Sequence, residues 1–188
     1  MYFIRFRLVD VRQGRLCHSL YASEKNPSIK GVYSSSPVAS IRCFAISPNE
    51  NQCAVALTNG TLSILDMRTG NLVASSNRIH SDTLELRWIS DRLLVSSHLD
   101  HPCICWSTSP LRISRRLLDS GSMLLIHREQ LVTVQSSARL RIYEKLSPKS
   151  EVKLKSDLFP GSVSSVAYLP LNKMFLFGFS SGHIRLFC

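Results

Sequence analysis

Five short segments of the chain share one pattern, and their spacing limits the fold more than any other feature. They are Phe6-Arg-Leu-Val9, Leu62-Ser-Ile-Leu65, Cys103-Ile-Cys-Trp106, Leu140-Arg-Ile-Tyr143 and Ile184-Arg-Leu-Phe187. Each ends in a bulky anchor residue. The residues one and three places before the anchor are apolar in every case. The residue two places before is polar in four of the five: Arg7, Ser63, Arg141 and Arg185, against Ile104. Alternation with period two is the signature of a strand with one buried face, whereas an amphipathic helix needs a period near 3.6. The anchors Val9, Leu65, Trp106, Tyr143 and Phe187 are separated by 56, 41, 37 and 44 residues. A unit of about 40 residues recurring along a chain points to a repeat architecture.

Each anchor segment after the first follows a second strand and a turn. Ala54-Val-Ala-Leu57 leads into Thr58-Asn-Gly60, Leu93-Leu-Val-Ser96 into Leu99-Asp-His101, Leu131-Val-Thr-Val134 into Ser136-Ser-Ala138, and Phe175-Leu-Phe177 into Ser180-Ser-Gly182. Asn-Gly and Ser-Gly are hairpin chemistry, because glycine accepts positive φ without strain. A further strand precedes each pair: Ile41–Ile46, Leu84–Ile89, Met123–Ile126 and Val163–Tyr168. The pentads Asp10-Val-Arg-Gln-Gly14 and Asp66-Met-Arg-Thr-Gly70 each close a tight turn into a fourth strand, Arg15–Tyr21 or Asn71–Ser75. One unit is therefore four antiparallel strands. Such a sheet cannot bury both faces alone, but radial stacking on its neighbours does so, which is a β-propeller.

The unit ending in Trp106 carries His80 near its start, Ser96 in the second strand, Asp100 in the next turn and Trp106 at the end of the third strand. These residues resemble WD40 repeats, in which the four side chains hydrogen-bond in series as a structural tetrad. The other units depart from that pattern, with Leu65, Tyr143 and Phe187 at the tryptophan position, so their stacking is expected to rest on packing. The fold class expected is all-β: a partial WD40-type β-propeller of about three full four-stranded blades and two partial ones. Residues 1–21 read as a partial blade of two strands and 22–39 as an inter-blade loop. Residues 40–82 and 83–121 read as WD40-like blades, 122–162 as a degenerate one and 163–188 as a partial terminal blade. Because the chain opens in mid-unit, it is expected to be a C-terminal piece of a longer propeller or a truncated gene model.

The order of Ala45-Ile-Ser-Pro48, Leu65-Asp-Met-Arg-Thr-Gly70, Leu94-Val-Ser-Ser97 with Asp100-His101, Leu158–Pro170 and Ser181–Cys188 resembles the C-terminal propeller of the BEACH–WD40 family. The resemblance covers about residues 40–188 well and the first 39 loosely. It implies a regulator of endosomal trafficking that restrains a class III phosphatidylinositol 3-kinase complex during early-to-late endosome conversion. It also implies a role in autophagic clearance of aggregates and a cytoplasmic location peripheral to endosomal membranes. None of this follows from composition or spacing.

Composition narrows the classes of function. At 44% hydrophobic and 19% charged residues, the 188-residue chain has an ordinary globular balance that excludes disorder. No apolar run approaches the roughly 18–20 residues that cross a bilayer as a helix. Arg5 and Arg7 interrupt the first apolar stretch, which does not read as a secretory signal. The six cysteines form no CxxC pair, so reduced thiols are expected. A zinc reading of His98, His101, Cys103 and Cys105 needs four converging ligands. Cys103 and Cys105 instead fill apolar slots held by Leu, Ile or Phe in the other units, so they read as core thiols.

The formal net charge is +10, from 23 basic and 13 acidic residues. Arg112, Arg115, Arg116, Lys145, Lys149, Lys153 and Lys155 form the candidate patch for an anionic partner. A solvated face is the plainer account of the same residues. The chain has no G-x-S-x-G elbow, P-loop, H-E-x-x-H or dinucleotide-binding turn. It is therefore expected to be a non-enzymatic protein–protein interaction scaffold with no cofactor, no metal and no small-molecule substrate. Nucleic acid is disfavoured, since the aromatics sit at anchors rather than among the basic residues. The alternative reading is a peripheral membrane-binding module contacting anionic phospholipid through its basic edge.

Overall fold

The structure is a computed structural model. It describes residues 5–10, 12–13, 15–21, 40–76, 82–118, 121–127, 130–137, 139–144, 147–153, 160–169, 171 and 174–187. The inter-blade loop expected over residues 22–39 lies outside the described residues. Among those described there are strands and turns and no helix. The first sheet pairs β1 (Arg5–Asp10) with β2 (Arg15–Tyr21). Three four-stranded sheets follow in simple order: β3 (Ile41–Ile46), β4 (Gln52–Leu57), β5 (Leu62–Asp66) and β6 (Leu72–Ser75); β7 (Thr83–Ser90), β8 (Leu93–His98), β9 (Cys103–Thr108) and β10 (Leu111–Leu117); β11 (Met123–His127), β12 (Gln130–Val134), β13 (Arg139–Glu144) and β14 (Ser147–Lys153). A three-stranded sheet of β15 (Val163–Leu169), β16 (Met174–Phe179) and β17 (Ile184–Phe187) ends the chain. Among the described residues every pairing is antiparallel between sequence neighbours, and no pairing closes the sheets into a ring. We call the four-strand units and the last sheet blades one to four.

The anchors fix a common register. Cys53 faces Leu65, Leu94 faces Trp106, Leu131 faces Tyr143 and Phe175 faces Phe187. The hairpin glycines sit where their turns need them, with φ of +84° at Gly60 and +82° at Gly182. The Asp66 turn is held by its own carboxylate, whose Oδ1 accepts the amides of Arg68 and Thr69 at 2.8 Å each.

Neighbouring blades bury their faces against one another. Ala54, Ile64, Leu94, Ile104 and Trp106 are among the residues packed between blades one and two. Val95, Cys103, Cys105, Leu117, Leu124, Leu131 and Tyr143 fill the gap between blades two and three. Val132, Val134, Leu140, Val163, Phe177 and Phe179 do so between three and four. This corrects one expectation about the middle strands. Ser63 and Ile104, the residues between the apolar positions, are themselves fully buried. β9 has a blade on each side, and the face of blade one away from blade two, with Cys53, Val55, Leu57 and Leu65, is buried as well, so β5 and β9 are closed on both sides.

Polar ties run from blade to blade beside these cores. Trp88 Nε1 donates to Ala45 O at 3.0 Å and Arg42 Nε to Thr83 O at 2.9 Å. Asn49 N donates to Asp91 Oδ1 at 3.0 Å, Leu124 N to Glu85 Oε2 at 3.1 Å and Val163 N to Ser136 O at 3.0 Å. Such bonds fix the angle between sheets, which burial alone leaves loose.

Candidate functional site

The second blade carries a buried polar relay. Trp106 Nε1 donates to Ser96 Oγ at 2.9 Å. Ser96 Oγ stands 3.0 Å from His98 Nε2, and 3.5 Å from Ile104 O. Having accepted the indole hydrogen, Ser96 has one proton to give, and the imidazole nitrogen is the nearer acceptor. That assignment leaves the His98 ring hydrogen on Nδ1, which lies 3.4 Å from Thr83 Oγ1 and 3.6 Å from Asp82 Oδ1. Asp82 Oδ2 in turn accepts the amides of Leu99 at 3.1 Å and Asp100 at 3.3 Å. Burial alone would raise the Asp82 carboxyl. The amides of Asp100 and of Asp82 itself, with His98 and His101 nearby, outweigh it and hold the group below its ordinary value.

Of the four residues expected in the tetrad, the structure joins Ser96 directly to Trp106. His80 lies outside the described residues. Asp100 does not bond inward as expected: it is exposed, and its contribution is a backbone amide. The reason is geometric, since Asp82, one residue before β7, already occupies the space beneath the turn. His98 and Asp82 are the members that the sequence reading missed. The signal was present, because His98 follows Ser96 by two residues on a strand and must share its face.

The other blades fill the same locus differently. By register, Val55 and Leu65 stand there in blade one, Thr133 and Tyr143 in blade three, and Phe177 and Phe187 in blade four. The phenylalanines meet edge to face, with centroids 5.2 Å apart and planes at 89°. Thr133 Oγ1 and Tyr143 OH are buried without a bond of hydrogen-bonding geometry, and burial raises the Tyr143 phenol.

The ring histidine and the cysteines do not converge. Cys103 and Cys105 face blade three, whereas Ser96, Trp106 and the bound His98 lie on the face toward blade one. Cys103 Sγ donates to Gly121 O at 3.2 Å, and burial pushes Cys105 up to about 12.

Two recesses among the described residues bear on function. A cleft of about 590 Å³ runs along the inner strands, where Phe44, Ile46, Trp88 and Tyr168 meet the paired Glu85 and Arg87. A groove of about 410 Å³ lies between the turns of blades two and three, lined by Leu99, Asp100, His101, Gln135, Ser136 and Ser137 among others. The relay holds this groove from beneath through the Leu99 and Asp100 amides.

The candidate basic patch is spread along two edges. Arg112, Arg115 and Arg116 are exposed on β10, the outer strand of blade two. A bulge between Ile113 and Arg115 sets Arg112 and Arg115 opposite Ser107 and Cys105, on one face, and Arg116 opposite Ile104, on the other. Lys149 and Lys153 are positions of β14, the outer strand of blade three, and Lys145 and Lys155 lie outside the described residues. Register places Lys153 opposite Arg139, at the end of the sheet away from the hairpin that joins β13 to β14. Lys149 lies toward the other end of β14, so the two described lysines are not gathered at one point.

Comparison with known proteins agrees with this geometry. No family model matches the chain. It is 38% identical over 151 residues to Suppressor of organelle fusion 2 of Caenorhabditis elegans, a stretch that is 78% of this chain and 11% of that protein. It is 27% identical over 187 residues to WD repeat-containing protein 81 of Danio rerio, covering 96% of this chain and 9% of that one. The chain thus spans about a tenth of the length of these relatives. Among solved structures it resembles the C-terminal WD40 domain of Sif2, with a TM-score of 0.68 and 18% identity over 98% of this chain and 51% of that one. It also resembles the β-propeller domain of Cps50 (Swd1), with a TM-score of 0.73 and 12% identity over 97% and 58% of the two chains. Stacked four-stranded blades in sequence order, set beside these likenesses, give the chain the fold of a partial WD40-type β-propeller.

Proposed function

We propose that the chain is a non-enzymatic interaction scaffold whose working surface is the turn end of blades two and three. The observation that carries this reading is the groove between Leu99–His101 and Gln135–Ser137, presented on turns that the Trp106–Ser96–His98–Asp82 relay braces from below. A braced turn loses little conformational entropy when it binds, which favours protein recognition. The resemblance to the BEACH–WD40 family, and a relative named for organelle fusion, support a place in endosomal trafficking. On that reading the protein partner is a class III phosphatidylinositol 3-kinase complex, restrained during endosome conversion, and the module also serves autophagic clearance of aggregates. The test is retention of that purified complex on the immobilised chain. Retention that Leu99→Asp with Ser136→Lys abolishes supports the reading, and equal retention by the variant removes the groove from it.

A second reading rests on Arg112, Arg115 and Arg116, exposed together on one outer strand. It makes β10 a contact for anionic phospholipid, peripheral to an endosomal membrane. Charged outer strands also guard sheet edges against aggregation, so the charge alone does not establish a ligand. Flotation with anionic and with neutral vesicles decides it, and equal recovery from both ends the idea.

A further inference from the structure

The outer strand of blade two holds a serine that its own ladder leaves out. Along β10, Ile113 stands opposite Trp106 and Arg115 opposite the adjacent Cys105, so Ser114 faces no residue of β9. Ser114 is exposed, as are Arg112, Arg115 and Arg116 around it. β10 is the end strand of its sheet, and among the described residues nothing pairs with its other edge. Ile113 packs against the core between blades one and two, and Leu117 is buried between two and three. The strand is thus anchored on either side of the bulge, while the bulged residue stays in solvent. The run Arg112-Ile-Ser-Arg-Arg116 is also distinctive in charge. Arginine stands two places before Ser114 and one and two places after it, and no other serine or threonine of the chain has arginine within two residues on both sides. Ser147 has Lys145 and Lys149 at the same distances, but Pro148 follows it.

We propose that Ser114 is a phosphorylation site for a kinase that reads arginine on both sides of its acceptor. A kinase cleft takes its acceptor in an extended conformation and sets carboxylates against the flanking cations. β10 offers an extended edge with guanidinium groups at fixed positions around one exposed hydroxyl. In the transfer, the Ser114 hydroxyl oxygen bonds to the γ-phosphorus of ATP as the bond from that phosphorus to the bridging oxygen breaks. ADP leaves with the electron pair, and the hydroxyl proton passes to the kinase's carboxylate base. The product carries a charge of about −1.5 to −2 in place of a neutral hydroxyl. Set among Arg112, Arg115 and Arg116, it cancels most of the charge of the strand and offers acceptor oxygens to the guanidinium groups. Because Ser114 has no partner across the ladder, the phosphate displaces no cross-strand neighbour. The site does not depend on either reading above. Its consequence rests on the second, in which the same arginines contact anionic phospholipid: the phosphate weakens that contact.

The test uses the full 188-residue chain, radiolabelled ATP and the catalytic fragment of protein kinase C, a kinase that accepts serine between basic residues. The folded chain, checked by its strand signal in circular dichroism, should take label, and peptide mass spectrometry should place it on Ser114. Ser114→Ala should lose that label and Ser114→Thr should keep it. Arg112→Gln with Arg116→Gln should slow labelling by about tenfold or more, through lost charge-assisted pairing with the cleft. A chain that takes no label on Ser114 overturns the proposal and leaves β10 a guarded edge. So does label on Ser114 that appears only after denaturation, or a rate that the arginine substitutions leave unchanged. Vesicle flotation then reads the consequence, with lower recovery of the phosphorylated chain on anionic vesicles expected. Equal recovery of the two forms, where the unmodified chain prefers anionic vesicles, overturns that consequence. Equal recovery of the unmodified chain from anionic and neutral vesicles ends the phospholipid reading and leaves the site standing.

Discussion

At residue scale, one locus repeated in four blades shows what a buried hydroxyl is worth. Ser96 is bonded to both Trp106 and His98, whereas Thr133 at the same register position meets no bond of proper geometry. Removing a bonded hydroxyl orphans its partners, at about 1–3 kcal/mol each, while replacing an orphan by an apolar group of the same shape is neutral or favourable. Ser96→Ala should therefore destabilise by about 2 kcal/mol and Thr133→Val should not destabilise at all. Denaturant midpoints check this, and equal losses for the two would show that the hydroxyls are equivalent after all. The relay also carries a pH dependence. The Asp82 carboxyl is held below its ordinary 3.8 in the folded chain. Its interactions therefore stabilise fully above the unfolded value and are lost as pH falls through the lower, folded one. Asp82→Asn should flatten that part of the stability profile at acid pH, and an unchanged acid limb would exclude Asp82 as its source.

At the scale of the element, strands and hairpins were legible and their surroundings less so. The strands came from alternation around Leu65, Trp106, Tyr143 and Phe187, and the turns from Asn59-Gly60 and Ser181-Gly182, because both signals are local. The bulge that extrudes Ser114 was not legible, since nothing in Leu-Arg-Ile-Ser-Arg-Arg-Leu marks where register slips. Nor was the burial of Ser63 and Ile104 on a second face, which depends on a neighbouring blade. The tetrad was half legible: Ser96 and Trp106 lie on paired strands, but Asp82 reaches His98 only after β7 and β8 are laid together. Gly121 gave no signal either, yet a Cβ there would run into the Val134 carbonyl. The clash is with backbone, so the entry to β11 must move. At Gly182 the added methyl meets open space, leaving only the positive φ, a strain of about 1 kcal/mol. Gly121→Ala should accordingly lower the melting temperature well beyond Gly182→Ala, and the reverse order would mean that the Val134 approach is not tight in solution.

At the scale of the whole molecule, cohesion comes from contacts between nearest blades. In such arrays stability is close to a sum of unit and junction contributions, and an end unit has only one junction. Leu94 is fully buried between blades one and two, where Ile104 and Trp106 close around it. Leu186 lies on the exposed face of blade four. Truncating a buried leucine removes both transfer free energy and packing, about 2–5 kcal/mol, and an exposed one leaves little to lose. In chemical denaturation, Leu94→Ala should cost within that range and Leu186→Ala about 0.5 kcal/mol or less. A Leu186→Ala loss as large as that of Leu94→Ala would place the Leu186 face of blade four in the interior of the folded chain, against the exposure it has beside Ile184.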